Sequence, residues 1–377
     1  MIARSFRRRL PLPALALLLP LAAACDGPTG TGSLSIDVTG ALERSQTVTF
    51  TVLRDGQPVD LTRVDFTFDP ADAVQPAGGA GTFRLLRAGA VTVTAAMPGL
   101  RGRRTVDVAT PPMVVFDRLL SGNRDIWKVA LDGLDLTRLT TDPGDDQDAT
   151  VAQNTVVFVS FRGGNAELFS VPLAGGDAQR LTNTPFHELA PALRPDGQRL
   201  AFTYDEAGVA KLYTANPDAS SRTWATPNFG FDGSIETGPA WAPAGGRLVF
   251  VTTSTGEADL YRMDPPGEPA LFVGSANAAE VEPAFSPDGE RVAFTSDNTP
   301  DGDTEVFVVR IATGAVTRLT TRPGPDAHPT WTRDGRLVYA ELTGSTSRLR
   351  WLNPDVPGVS FPIETGTGNA ARPFAVP

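Results

Sequence analysis

One cysteine and two histidines in 377 residues set the first limits on this sequence. A single cysteine has no disulfide partner within the chain, so covalent staples do not hold the fold. His187 and His328 alone cannot build the three- or four-ligand histidine sites of metal-dependent lyases. Helical periodicity is scarce after residue 25. Positive charge is also short: 33 Lys and Arg stand against 43 Asp and Glu, a net of −10. Phosphate backbones need a Lys/Arg surface, so a nucleic-acid partner is not expected. No G-x-S-x-G elbow occurs, which argues against an α/β-hydrolase centre. No catalytic set, metal site or cofactor is expected. What is abundant is Gly (37) and Pro (33), in turn-forming dipeptides spread evenly along the chain. That pattern suits many short strands, an all-β fold.

Arg4, Arg7, Arg8 and Arg9 precede a short apolar run, Leu10 to Leu21, too short to span a bilayer as a stable helix. "LAAAC" follows and ends at Cys25. This resembles a bacterial lipoprotein signal, with Ala22 where the pattern prefers Leu. The resemblance implies a signal peptide over 1–24, lipidation of Cys25 and a membrane anchor, hence the periplasm or the cell surface. Ordinary secretion with an unpaired cysteine is the alternative. Small and polar residues make 25–32 a tether.

From 33 to 110 the chain alternates with period two in "SLSIDV", "TVTFTVL", "VDFTF", "TFRLL", "AVTVTAA" and "TVDVA". Six or seven short strands in this length predict a small two-sheet sandwich. It resembles the immunoglobulin-like domains of bacterial surface proteins.

From 111 onward the chain repeats itself. A strand-closing aromatic recurs at Phe116, Phe158, Phe202, Phe250, Phe294 and Tyr339, spaced by 42, 44, 48, 44 and 45 residues. A second strand follows each, with its aromatic at Trp127, Phe169, Tyr213, Tyr261, Phe307 and Trp351. A further strand is expected at the "RLT" phrases, 138–141, 180–183 and 318–321. A four-stranded unit repeated every 44 residues or so is the signature of a β-propeller blade, and six repeats predict six blades. The first unit opens at "MVVFDR" without its leading strand, and "ARPFAVP" (371–377) resembles the missing piece. The C-terminal strand is therefore expected to pair into the first blade and close the ring.

The phrase "EPAFSPDGERVAFTS…TEVFVVRIATGAVTRLT" (282–320) closely resembles the WD40-like repeat of TolB-type propellers. The resemblance implies a six-bladed propeller over 111–377 whose "PAFS" strands are innermost and line a central channel. It says little about function, because this fold hosts binding modules and enzyme gates alike. An acid stands near the start of these strands: Asp146 (or Asp145), Glu188, Glu236, Glu280 and Asp326, with Asn369 aligned in the sixth place. Under the resemblance they would ring one channel mouth. Two explanations compete. Each acid accepts hydrogen bonds within its own inter-blade turn, or the acids converge on a cation or a Lys/Arg of an inserted peptide. His187 and His328 read as exposed residues of the same inter-blade loop in two blades. The acidic loops "DPGDDQD" (142–148) and "DNTPDGDTE" (297–305) read as solvated, with calcium as the alternative.

The function expected is a lipid-anchored, non-catalytic envelope protein that binds a protein or peptide partner at the channel mouth. The alternative is a sugar-active or metal-dependent enzyme using the channel as its pocket. Charge reversal of Glu188, Glu236 and Glu280 is expected to abolish binding and leave the ring folded.

Overall fold

The computed structural model describes residues 33–227, 229, 233–264 and 267–377. The signal segment, Cys25 and the tether lie outside the described residues, and with them the expected lipid anchor. The chain divides into two compact units at Thr110 and Pro111.

In the first unit, strands Leu34–Thr39, Thr47–Arg54, Thr82–Leu85 and Val74–Pro76 form one antiparallel sheet, with Gln57–Pro58 beside the second. Strands Asp65–Asp69, Gly89–Met97 and Leu100–Val108 form the other. Period-two alternation sends Leu34 and Ile36, Val48, Phe50 and Val52, and Val91, Val93 and Ala95 into a shared core. The last strand begins at Leu100, five residues before the apolar "TVDVA" phrase, because the polar run 101–104 completes a full ladder with 93–96. Gly102 allows that course: a Cβ there would stand 2.7 Å from the Leu34 carbonyl oxygen. Phe50 is fully buried against the rings of Phe66, Phe68 and Phe83, at centroid distances of 6.5, 5.9 and 6.1 Å. Phe50→Ala is expected to destabilise this unit by about 3–5 kcal/mol, read by denaturant titration; a loss under about 1 kcal/mol would refute this assignment of the core centre.

The second unit contains six four-stranded antiparallel sheets. The fifth shows the pattern: Glu280–Phe285, Arg291–Ser296, Glu305–Arg310 and Val316–Arg318, paired in chain order. The turn between its first two strands is built as Pro-Asp-Gly chemistry dictates. The Gly289 N–H donates to the Ser286 carbonyl (2.9 Å), the Glu290 N–H donates to the Asp288 carboxylate (3.0 Å), and Gly289 has φ +70°. The first sheet differs. Its strands Met113–Leu120, Asn123–Ala130 and Thr137–Arg138 are joined by the C-terminal strand Asn369–Ala375, which pairs antiparallel with Met113–Leu120.

Each sheet packs on the next, and the sixth packs on the first. Val115 and Ile126 share a cluster with Val151 and Phe158. At the other end, Val338 and Leu349 share one with Val114, Phe116 and Ala370. The periodic aromatics Phe116, Phe158, Phe202, Phe250, Phe294 and Tyr339 are the largest fully buried side chains of their sheets.

Two sequence expectations are corrected here. The "RLT" phrases do not continue the outer strand: pairing stops at Arg138, Arg180 and Arg318. The threonine two residues on turns inward, and its Oγ1 accepts the N–H of Ile126 (3.0 Å), Leu168 (2.8 Å) or Val306 (2.9 Å). The phrase recurs because it ties the outer strand to its neighbour through a side chain. Trp351 is also displaced by one. Tyr339 pairs with Arg350, where the other sheets place the second aromatic, and Trp351 instead stacks on Phe361 at 4.7 Å.

Candidate functional site

The acids singled out in the sequence are buried between sheets. Asp146, Glu188, Glu236 and Asp326 are fully inaccessible and Glu280 is 1% exposed. Four of them face a second carboxylate from the third strand of the preceding sheet: Asp125 for Asp146, Glu167 for Glu188, Asp259 for Glu280 and Glu305 for Asp326. Glu236 has a cation in that place, Lys211, at 3.5 Å. Asp146, Glu188, Glu236 and Glu280 accept internal hydrogen bonds, whereas neither buried oxygen of Asp326 has a partner among the described residues. Arg162 binds both oxygens of Asp146 at 3.1 Å. Thr184 donates to Glu188 (2.8 Å), the Leu212 N–H to Glu236 (3.1 Å), and the Ser275 N–H and hydroxyl to Glu280 (3.1 and 2.7 Å).

Burial pushes Asp146 and Glu280 above the ordinary carboxylate range. Glu188 and Asp326 rise to about 7, with the facing Glu167 or Glu305 adding to the burial effect. Glu167 moves the other way: burial acts to raise it, but donation from Thr182, the Thr184 N–H and Arg180 outweighs burial. Of the two, Glu188 is thus the carboxyl that keeps its proton more readily and Glu167 the one that ionises first.

Charge reversal of these acids is consequently a test of folding. A lysine placed at 188, 236 or 280 would bury a charge in a sheet interface, and the expectation that the ring survives is withdrawn. Asn369 is corrected by register. Ala370, fully buried, pairs with Arg118 where Glu188 pairs with Tyr204 and Glu280 with Ser296. The sixth place thus holds no polar side chain, and Asn369 donates to the Ser345 carbonyl at 2.7 Å instead.

The residues that do face one another across the middle of the unit lie two positions further along. Each innermost strand carries a β-bulge, and its first residue has left-handed φ: Asp148 (+53°), Ala190 (+47°), Gly238 (+57°), Glu282 (+58°), His328 (+55°) and Arg372 (+43°). Five of these are not glycine, and each such residue costs roughly 1 kcal/mol or more. Five precede a proline (Pro191, Pro239, Pro283, Pro329, Pro373). All six line one cavity of ≈ 550 Å³, together with Trp241, Trp331, Phe285 and Phe374.

Around this ring the charges pair off. Arg372 Nε lies 2.9 Å from the Asp148 carboxylate, and Arg372 Nη1 is 3.3 Å from buried Asp117. His328 Nδ1 lies 2.7 Å from Glu282 Oε1; Glu282 Oε2 also accepts Thr295 Oγ1 and the His328 N–H, both at 2.7 Å. Burial works against charge on His328, but the Glu282 carboxylate outweighs it and holds the imidazole above its ordinary range. Ala190 and Gly238 carry nothing that reaches inward, so one arc of the ring is polar and the opposite arc is bare.

Sequence reasoning missed this ring, although its mark is visible as the variable residue immediately before each strand-opening proline. His328 belongs to it and is only 27% exposed. His187 stands three places earlier in the repeat frame, where its Nδ1 accepts the Ala166 N–H at 3.0 Å; the two histidines are not equivalent. In the acidic loops, Asp145 accepts the Arg124 N–H (2.9 Å) and Asp297 the Ala279 N–H (2.8 Å). Among the described residues, no group of three or more His, Cys, Asp or Glu is placed to hold a metal ion, and no helix is long and apolar enough to cross a membrane.

By sequence, no family model matches the chain and no curated protein matches it. By structure it is similar to TolB from Acinetobacter baumannii, at 16% identity and a TM-score of 0.63, over 85% of this chain and 86% of that one. A putative TolB from Agrobacterium tumefaciens aligns at 17% identity and a TM-score of 0.53, over 67% and 87%. A chain of a nidogen/laminin complex aligns at 10% identity and 0.57, over 70% and 98%. At these identities the likeness speaks to the fold: the chain contains a β-propeller of TolB-like form.

Proposed function

We propose that this chain is a lipid-anchored envelope protein whose propeller binds a protein or peptide segment in its central cavity, without chemistry of its own. In this reading residues 1–24 are removed, Cys25 is acylated, and 25–32 is the tether. Residues 33–110 are an immunoglobulin-like spacer. Residues 111–377 are a six-bladed propeller closed by its C-terminal strand. The observation that carries the binding reading is the cavity itself. Five strained backbone positions and a glycine hold its lining in place, and strain of this kind persists where the surrounding structure over-determines it, commonly at binding sites. The TolB-like fold and the chain of a nidogen/laminin complex support a protein partner by analogy of fold alone.

The site test is photocrosslinking. A benzophenone side chain at Ala190 is expected to crosslink a defined protein in envelope fractions, while one at exposed Val316, on the outer strand of the fifth sheet, is not. Equal labelling from both positions would reject the cavity as the docking site. For the anchor, Cys25→Ser is expected to move the protein from the membrane to the soluble fraction and abolish labelling by an alkyne fatty acid.

A second reading, an enzyme using the same cavity, draws on the His328–Glu282 pair, since a charged His–carboxylate pair in a cleft also suits proton transfer. Its metal-dependent form predicts bound transition metal in purified protein and a lower melting temperature in chelator.

A further inference from the structure

The two carboxylates of the ring are each engaged by a cation of the ring, Asp148 by Arg372 and Glu282 by His328. One more charged side chain lines the cavity. Arg333 is exposed at its edge and has no hydrogen-bond or ion-pair partner among the described residues. Arg372 is shared between Asp148 and buried Asp117, so the charged side chain of the cavity left without a partner among the described residues is a cation, Arg333. The acids singled out in the sequence take no part in this balance, because they are sealed inside the sheet interfaces.

The rest of the lining is apolar and already satisfied. Trp331 Nε1 donates to the Ala284 carbonyl at 3.1 Å, and Trp241 Nε1 to the Ala192 carbonyl at 3.0 Å; with Arg291 and Arg194 over their rings at 4.7 and 5.8 Å, these largely buried indoles present only a carbon edge to a guest. The prolines of the bulges and the bare arc at Ala190 and Gly238 continue that surface. A Cβ added to Gly238 would rest in ordinary van der Waals contact with Val251 (3.6 Å) and Pro283 (3.9 Å), so this arc is bare of polar groups and lined by carbon.

We infer that the cavity selects a peptide segment carrying a carboxylate among apolar residues, with Arg333 as the counter-ion of that carboxylate and the Trp and Pro lining as the bed of its apolar neighbours. The peptide identity rests on the reading given under Proposed function; the preference for an anion rests on the cavity alone. A guanidinium suits the role because its planar fork can hold a carboxylate through two parallel hydrogen bonds.

The test uses the full chain and three fluorescein-labelled peptides, Gly-Leu-Pro-X-Pro-Leu-Gly with Glu, Gln or Lys as X, followed by anisotropy at low salt. The Glu peptide is expected to bind at least tenfold more tightly than the Lys peptide. Arg333→Gln should erase that difference at an unchanged melting temperature, and Arg333→Lys should keep most of it. A Lys peptide that binds as well or better, or a Glu preference that survives Arg333→Gln, would overturn the inference.

A second arm reads the charge preference without any peptide, by thermal shift with phenylacetate against phenethylammonium. If all three peptides are silent while phenylacetate alone raises the melting temperature, and does so only with Arg333 present, the peptide reading falls and the anion site stands. If neither peptides nor phenylacetate bind, both fall.

Discussion

Deleting residues 369–377 is expected to unfold the whole of 111–377 in one transition, a loss comparable to the 5–15 kcal/mol that holds an ordinary domain together. Four contacts go at once. The hydrogen-bond ladder on Met113–Leu120 is stripped, leaving an open edge. Buried Ala370 leaves the cluster between the sixth and first sheets, and Phe374 and Val376 leave the one between the first and second. Arg372 leaves Asp117 and Asp148, and Asp117 is fully buried. In a cycle of sheets each of which packs only on its neighbours, one broken joint turns a ring into an open arc with two raw ends. Circular dichroism melts and hydrogen exchange read the result, and a synthetic 367–377 peptide added in trans is expected to restore protection in the sixth sheet. Fraying confined to 113–120, with the fourth sheet still protected, would contradict this account of closure.

Raising the pH from 5 to 8 is expected to lower the melting temperature of the propeller, and the double variant Glu188→Gln/Asp326→Asn is expected to remove much of that slope. A carboxyl whose proton is held more tightly in the folded state favours folding while protonated. That contribution is complete below the unfolded value, 4.5 for Glu188 and 3.8 for Asp326, and is lost as the pH climbs through about 7. The two shifts correspond to roughly 3 kcal/mol for Glu188 and roughly 4 kcal/mol for Asp326. His328, also raised, loses its contribution in the same direction. Carboxylates held below their usual range, such as Asp288 and Asp334, act oppositely, but at a lower pH, as protonation approaches their folded values. The amide variants keep the shape of each group and cannot ionise, so above pH 7 they are expected to melt higher than the parent. Parallel pH profiles for parent and variant would show that these carboxyls carry no proton linkage.

The sequence carried the repeat clearly because the repeat is local. Pro-Asp-Gly turns and buried aromatics sit at fixed intervals, and each follows from turn chemistry or from period-two burial. The partnership of "ARPFAVP" with Met113–Leu120 was legible from the frame of the repeat alone. Less visible was the direction in which a polar side chain points. An acid three places before the proline and a variable residue one place before it look equally exposed in a string of letters. The intervening bulge turns the first into a sheet interface and the second toward the cavity. A bulge shifts register without leaving a residue type behind, apart from the proline that follows it in five of the six strands. Arg350 shows the same difficulty: Trp351 keeps the aromatic count intact while standing one place out of step.

The bulges also separate two tasks along each innermost strand. Positions 146, 188, 236, 280 and 326 are committed to the joints between sheets, whereas 148, 190, 238, 282, 328 and 372 are held by backbone geometry whatever side chain they carry. A combinatorial library confined to 148, 190, 238, 282 and 328, with Arg372 kept as the partner of buried Asp117, would re-specify the guest without loosening the walls. Its members would be filtered mainly by tolerance of a left-handed backbone, where Gly, Asn and Asp lead.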